Sequence, residues 1–200
     1  MKLYKITDEK NQTWNKCQWG ENISHKVSGK GNLCSDGWIH AYEHPLLAVL
    51  HNPIHGNYDP ETMHLWECKT TDNPKRDGQL KLGVRNLTTI KQIPLPAITI
   101  IQKVAYGILC AKEVYTEESW NKWADNWLSG KDRTEAAARA TWVASTTAWV
   151  ASAESAAAWA AESAAWSAAW AAEMAAWSAV SAATRGVNLI EIAEKAMLYS

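Results

Sequence analysis

Apolar and polar side chains alternate through Met63, His64, Leu65, Trp66, Glu67 and Cys68, the period-two signature of a half-buried strand. Its inner face is either Met63, Leu65 and Glu67 or the more apolar set His64, Trp66 and Cys68. Residues 2–7 read as a first strand, and residues 13–27 as a polar strand or loop pair carrying Trp14 and Trp19. Turn chemistry at 32–37 precedes a short β-prone run at 38–42. Pro45 then opens a short helix to Leu50, because a proline's missing amide costs little in a first turn. A loop follows at 52–61, a charged loop at 71–83, and a further strand at 84–93 that Pro94 and Pro96 close. Residues 1–96 are therefore expected to form an α+β domain with a small mixed sheet.

From Ile98 the period changes. Ile101, Val104, Ala105, Ile108 and Leu109 fall on one helical face, which is expected to lie on the sheet. A second helix places Trp120, Trp123 and Trp127 at i, i+3 and i+7, with Thr116 as its expected cap and Gly130 as its stop. Residues 97–130 thus make two packing helices. In residues 131–200, a long Ala/Trp-rich, coiled-coil-like helix precedes a short helix. Asp132 and Glu135 suggest a capping box at the start of the long helix, and no proline or glycine follows until Gly186. Fully extended, such a helix would reach on the order of 80 Å. It must bend back, project or associate.

Tryptophan placement strengthens the last option. With Trp142 at heptad position a, Trp149, Trp170 and Trp177 also fall at a, while Trp159 and Trp166 fall at d. An eleven-residue repeat competes with this frame, since Ala158-Trp159-Ala160-Ala161-Glu162 recurs as Ala169-Trp170-Ala171-Ala172-Glu173, so the supercoil hand stays open. Both frames give one aromatic stripe on an alanine rod. Glu154, Glu162 and Glu173 are the only charges between Ala140 and Thr184, so much of this surface is expected to be covered, most simply by a second copy of the chain. These six tryptophans are the expected oligomer interface.

Composition narrows the function classes. Alanine supplies 24 of the 52 positions from Arg133 to Thr184, which marks a second building material. A formal net charge of -1 gives no general attraction for nucleic acid or an anionic membrane. The first residues lack an apolar signal core, and glutamates interrupt the alanine run before a bilayer length is reached, so a cytoplasmic protein is expected. Cys17, Cys34, Cys68 and Cys110 form no Cys-x-x-Cys pair and read as reduced thiols.

Histidine is confined to a short part of the chain. All six histidines lie between His25 and His64, and His40/His44 and His51/His55 have the i, i+4 spacing that could place two rings on one helical face. Pro45 directly follows the first pair, Pro53 interrupts the second, and no carboxylate completes a metal motif, so neither metal nor cofactor is expected. No nucleophile elbow or Cys/His signature appears, and no catalytic residue can be assigned.

The run Cys34-Ser35-Asp36-Gly37-Trp38-Ile39-His40-Ala41, followed by Pro45-Leu46-Leu47 and Leu65-Trp66-Glu67-Cys68, resembles an uncharacterised family of phage and prophage proteins. Its members carry a Cys-x-x-Gly-x-x-His-Ala element, and some continue into alanine/tryptophan repeats. The resemblance covers most of the chain and implies a viral origin, with residence in the host cytoplasm, but no activity. More distantly, the order Gly37 to Ala41, Pro45 to Leu50, Met63 to Cys68 is similar to the ADP-ribosyltransferase fold. That similarity implies Lys5 on the first strand, with His40 and Tyr42 on the wall of a nicotinamide or ADP-ribose pocket. The first strand lacks that fold's His-Gly or Arg, and neither Glu67, in a strand, nor Glu113, in a helix, takes the place of its catalytic glutamate.

Two readings follow. The first is a phage-type accessory protein that sequesters a small nucleotide-like signalling molecule at Lys5, Trp38, His40 and Tyr42, assembled through its helices. The second is a structural or interaction protein that uses the Ala/Trp helix to oligomerise. A transferase-like enzyme ranks third.

Overall fold

The computed structural model describes residues 1–134, 137, 179–180, 182–183 and 185–200. The tryptophan stripe, Trp142, Trp149, Trp159, Trp166, Trp170 and Trp177, lies outside the described residues. The chain divides into two compact units, Met1–Ala97 and Ile98–Ser200.

The first unit is α+β. In chain order its elements are β1 (Lys2–Thr7), β2 (Gln12–Thr13), β3 (Cys17–Gln18), β4 (Ser24–Lys26), β5 (Ile39–Ala41), α1 (Pro45–Leu50), α2 (Asn52–His55), β6 (His64–Lys69), β7 (Lys75–Asp77), β8 (Lys81–Val84) and β9 (Asn86–Ile93). A four-stranded sheet runs β1-β6-β9-β4 and a three-stranded sheet β5-β8-β7, while β2 pairs with β3 in a small hairpin. Every pairing is antiparallel. The two larger sheets are joined at Tyr4 and Tyr42, whose backbones exchange two hydrogen bonds of 2.8 Å.

Across β1 and β6, Leu3 faces Cys68, Lys5 faces Trp66 and Thr7 faces His64, so these side chains share one face. Leu3, Trp66 and Cys68 pack there with Trp19, Ile39, Ala41, Leu82, Val84 and Leu87, a core built from both larger sheets. The apolar alternative for β6 is thus the one that enters this cluster. Met63 and Leu65 on the opposite side are buried as well. The Trp66 indole donates to Thr7 Oγ1 at 3.2 Å, which satisfies its buried N–H.

Three expected boundaries change, the first being the loop expected at 52–61, which opens with α2. The charged loop expected at 71–83 contains β7 and most of β8. All three residues of β7 are exposed, so it has no apolar alternation to read, and its charges suit the edge of a sheet. The single strand expected at 84–93 is β9 alone, because Arg85 turns the chain between β8 and β9. Asp72 fixes that turn by accepting from the amides of Arg85 at 2.6 Å and Asn86 at 2.9 Å.

In the second unit, α3 (Ile100–Lys112) starts with a capping box in which Gln102 N donates to Thr99 Oγ1 and Thr99 N to Gln102 Oε1. Within this unit α3 packs against α4 (Glu118–Leu128) and α5 (Leu189–Ala196). Trp120, Trp123 and Trp127 are buried as their spacing predicts. The cap of α4 is Glu117 in place of Thr116, since its carboxylate accepts from the amides of Ser119 and Trp120. Gly130 sits in the left-handed region that ends helices, at φ 75°. Asp132 accepts from Thr134 N and Thr134 Oγ1 accepts from Ala137 N at 3.3 Å, while Glu135, the other half of the expected capping box, lies outside the described residues. No helix among the described residues is long and apolar enough to cross a membrane.

Candidate functional site

Lys5, Trp38, His40 and Tyr42, the four residues singled out from the sequence, border one cavity of about 300 Å³ in the first unit. β1 supplies Lys5 and Ile6, while β5 and the residue after it supply Ile39, His40 and Tyr42. The β2–β3 hairpin adds Thr13, Trp14, Asn15 and Cys17, and the end of α2 with the following loop adds His55, Gly56 and Tyr58. This is the small end of the roughly 300–1,000 Å³ range of ligand pockets.

Lys5 dominates the electrostatics. It is 7 % exposed, its ammonium donates to the His40 carbonyl at 3.0 Å, and it stands 4.8 Å from the centroid of the Trp19 ring. It makes no ion pair among the described residues. Burial pushes its pKa down to about 8, against a smaller upward pull from Cys68 and Cys17. A buried ammonium without a carboxylate is costly, and the cation–π contact with Trp19 offsets only part of that cost.

His40 follows the same logic. Its Nε2 bonds the Leu33 carbonyl, and burial lowers its pKa, with the charges of Lys81 and Lys5 adding to the effect. Lys81 is itself buried and donates to Cys34 Sγ at 3.0 Å. His55 is pushed down to about 3, first by burial and then by Lys81. It is neutral at pH 7. Its Nδ1 lies 3.0 Å from the Tyr42 hydroxyl, and burial raises the phenol's pKa, so Tyr42 stays protonated. If the phenol donates, the His55 proton sits on Nε2. Among the described residues the cavity border thus carries one ammonium, Lys5, and one carboxylate, Asp36, beside the neutral His55.

The aromatic wall depends on two glycines. Gly83 on β8 lies opposite His40, and a Cβ there would come within 2.2 Å of Leu33 Cδ1 and 3.1 Å of Trp38 Cβ. A side chain there would make Leu33 swing aside and press against Trp38. A Cβ on Gly37 would fall 2.0 Å from the Lys30 carbonyl oxygen, so the loop that presents Trp38 requires glycine there.

Trp14, Trp19, His55 and Tyr58 also border the cavity, and nothing in the sequence pattern assigns them to it. Pro53 was expected to separate His51 from His55, but it occupies the first turn of α2, where proline is tolerated. The two rings therefore remain 6.0 Å apart. His51 is fully buried with Nδ1 3.0 Å from the Leu80 carbonyl, and burial holds its pKa near 4. His44 instead caps α1 by accepting from Leu46 N at 3.3 Å. Among the described residues, no three His, Cys, Asp or Glu side chains are arranged to hold a metal. Glu67 pairs with Lys2 at 2.9 Å and Glu113 is the C-cap of α3, so neither borders the cavity.

No family model matches the chain, and no curated protein or solved structure matches it either.

Proposed function

We propose that the first unit binds a small nucleotide-like molecule, as a phage-type accessory protein that sequesters such a molecule would. The observation that carries this reading is Lys5, a buried ammonium without a carboxylate partner on the border of an aromatic-walled cavity. An anionic ligand group would supply the missing counter-charge, and Lys81 adds to the attraction through the same positive field that lowers His40 and His55. Aromatic faces suit a base, and the two ammonium hydrogens of Lys5 not given to the His40 carbonyl suit phosphate oxygens. Among the described residues the cavity border holds no glutamate, and Asp36 is its carboxylate.

Thermal-shift measurement on the full chain with nucleoside monophosphates, cyclic nucleotides and ADP-ribose tests the reading, alongside mass spectrometry of small molecules released from the purified protein by heat. A stabilising shift that disappears in Lys5→Met is expected. No shift with any of these compounds, and no retained nucleotide, would remove the basis for it.

A further inference from the structure

Three tryptophans border the cavity, and two already have a ring face occupied. Lys5 stands over Trp19, whose indole N–H also donates to Thr13 Oγ1 at 2.9 Å. Lys75 stands over Trp38 at 5.4 Å, and the Trp38 indole donates to the Gly31 carbonyl. Trp14 has neither a cation nor a ring against it among the described residues, and it is 82 % exposed. An indole kept in water at the rim of a cavity gains nothing from the fold around it.

The backbone beneath Trp14 is tightly held. Trp14–Lys16 is a single 3-10 turn between β2 and β3, and Asn15 and Lys16 both adopt left-handed conformations, at φ 58° and 55°. Asparagine accepts that region readily, whereas lysine is strained there. The register Gln12 to Gln18 and Thr13 to Cys17 clamps the turn, reinforced by a 3.1 Å bond between the Gln12 and Gln18 side chains. The hairpin thus displays Trp14 on a short, fixed arch instead of folding it into the core.

We propose that Trp14 is the stacking face for the ring of a nucleoside monophosphate, with the ring at the rim and the phosphate directed inward toward Lys5. This rests on the cavity's being a nucleotide site and specifies its ligand: one planar base joined to one anionic group, in a cavity too small to enclose a dinucleotide. Stacking on an aromatic side chain tolerates any base, so Trp14 supplies affinity for a ring without choosing which one.

Isothermal titration of the full chain with the four common nucleoside 5′-monophosphates and with ribose 5-phosphate tests the assignment. Trp14→Ala is expected to weaken the tightest monophosphate about tenfold. Trp14→Phe should restore most of the loss, and ribose 5-phosphate, which has no ring to stack, should bind wild type and Trp14→Ala alike. Equal monophosphate affinity in wild type and Trp14→Ala would overturn the stacking role while leaving the nucleotide site standing. Equal weakening of both ligand types would overturn it by showing that the substitution disturbs the cavity itself. If wild type binds no monophosphate, the site reading fails and this assignment with it. A fall in oligomeric mass in Trp14→Ala with unchanged nucleotide binding would assign Trp14 to a protein contact and overturn the proposal.

Discussion

Lys5 faces Trp66 across β1 and β6, so a charged side chain shares a face of the sheet with Leu3, Trp66 and Cys68 of the apolar core. The unfolded chain holds the Lys5 proton up to about its ordinary 10.5, while the folded chain releases it near 8. That difference corresponds to roughly 3 kcal/mol of destabilisation when the amine is charged, an upper figure given the Trp19 contact.

Lys5→Met should therefore stabilise the ligand-free protein at neutral pH by up to about 3 kcal/mol. Between pH 8 and 10.5 the unfolded state binds more protons than the folded state, so wild-type stability gains with pH and the advantage of the variant shrinks. The comparison with wild type separates this from the buried thiols of Cys68 and Cys110, whose raised pKa values act in the opposite sense above pH 9. Urea unfolding at pH 7 and pH 10 measures it. A variant that is less stable by the same amount at both values would contradict the argument.

Anion affinity should carry the reverse signature. A phosphate near Lys5 favours the ammonium, so binding of a nucleoside monophosphate weakens as pH rises through about 8 and is accompanied by proton uptake. Calorimetry in two buffers of different ionisation enthalpy detects the uptake. Its absence near pH 8 would place the anion away from Lys5.

On the acid side, His51 and His55 are neutral in the fold, with pKa values near 4 and 3, and charge near 6.5 when unfolded. Stability present above pH 6.5 is lost as pH falls from there through 4. His51→Asn keeps a donor for the Leu80 carbonyl and removes one titration, so its stability should fall less steeply over that interval. An acid-unfolding curve parallel to wild type would show that His51 contributes nothing to it.

Gly37→Ala drives a Cβ into the Lys30 carbonyl, a backbone atom that cannot swing aside. A loss of about 2 kcal/mol or more is expected, together with a weaker ligand-induced thermal shift, because the displaced loop carries Trp38. Unchanged stability would mean that the loop is not fixed by this contact.

The tryptophan spacing yields one prediction from sequence alone. If Trp142, Trp149, Trp159, Trp166, Trp170 and Trp177 form a seam between copies, replacing Trp166 and Trp170 with alanine lowers the assembled mass in light scattering while helicity is retained. A wild-type monomer at micromolar concentration refutes the seam.

Much of the first unit is legible in periodicity. β1, β6, α1 and the strand at Ile39–Ala41 announce themselves through alternation, a proline in a first turn, and aromatic and β-branched residues. β7 does not, because an exposed edge strand has no buried face to imprint a pattern. Lys5, Trp38, His40 and Tyr42 come together as a group only through the resemblance to the ADP-ribosyltransferase order of strands and helix, and they border one cavity. Trp14 was not. Its significance lies in an exposure and a left-handed turn that depend on how Gln12 and Gln18 pair. His55 was hidden because a proline that ends one kind of helix begins another.

The two hydrogen bonds between Tyr4 and Tyr42 make a clasp between the sheets, and one of its two residues also borders the cavity. Any ligand that immobilises the Tyr42 ring steadies a peptide unit shared by both sheets. Occupancy should then register in slowed hydrogen–deuterium exchange at the amides of Tyr4 and Tyr42 together, turning a local contact into a change in how readily the two halves of the β-structure breathe apart.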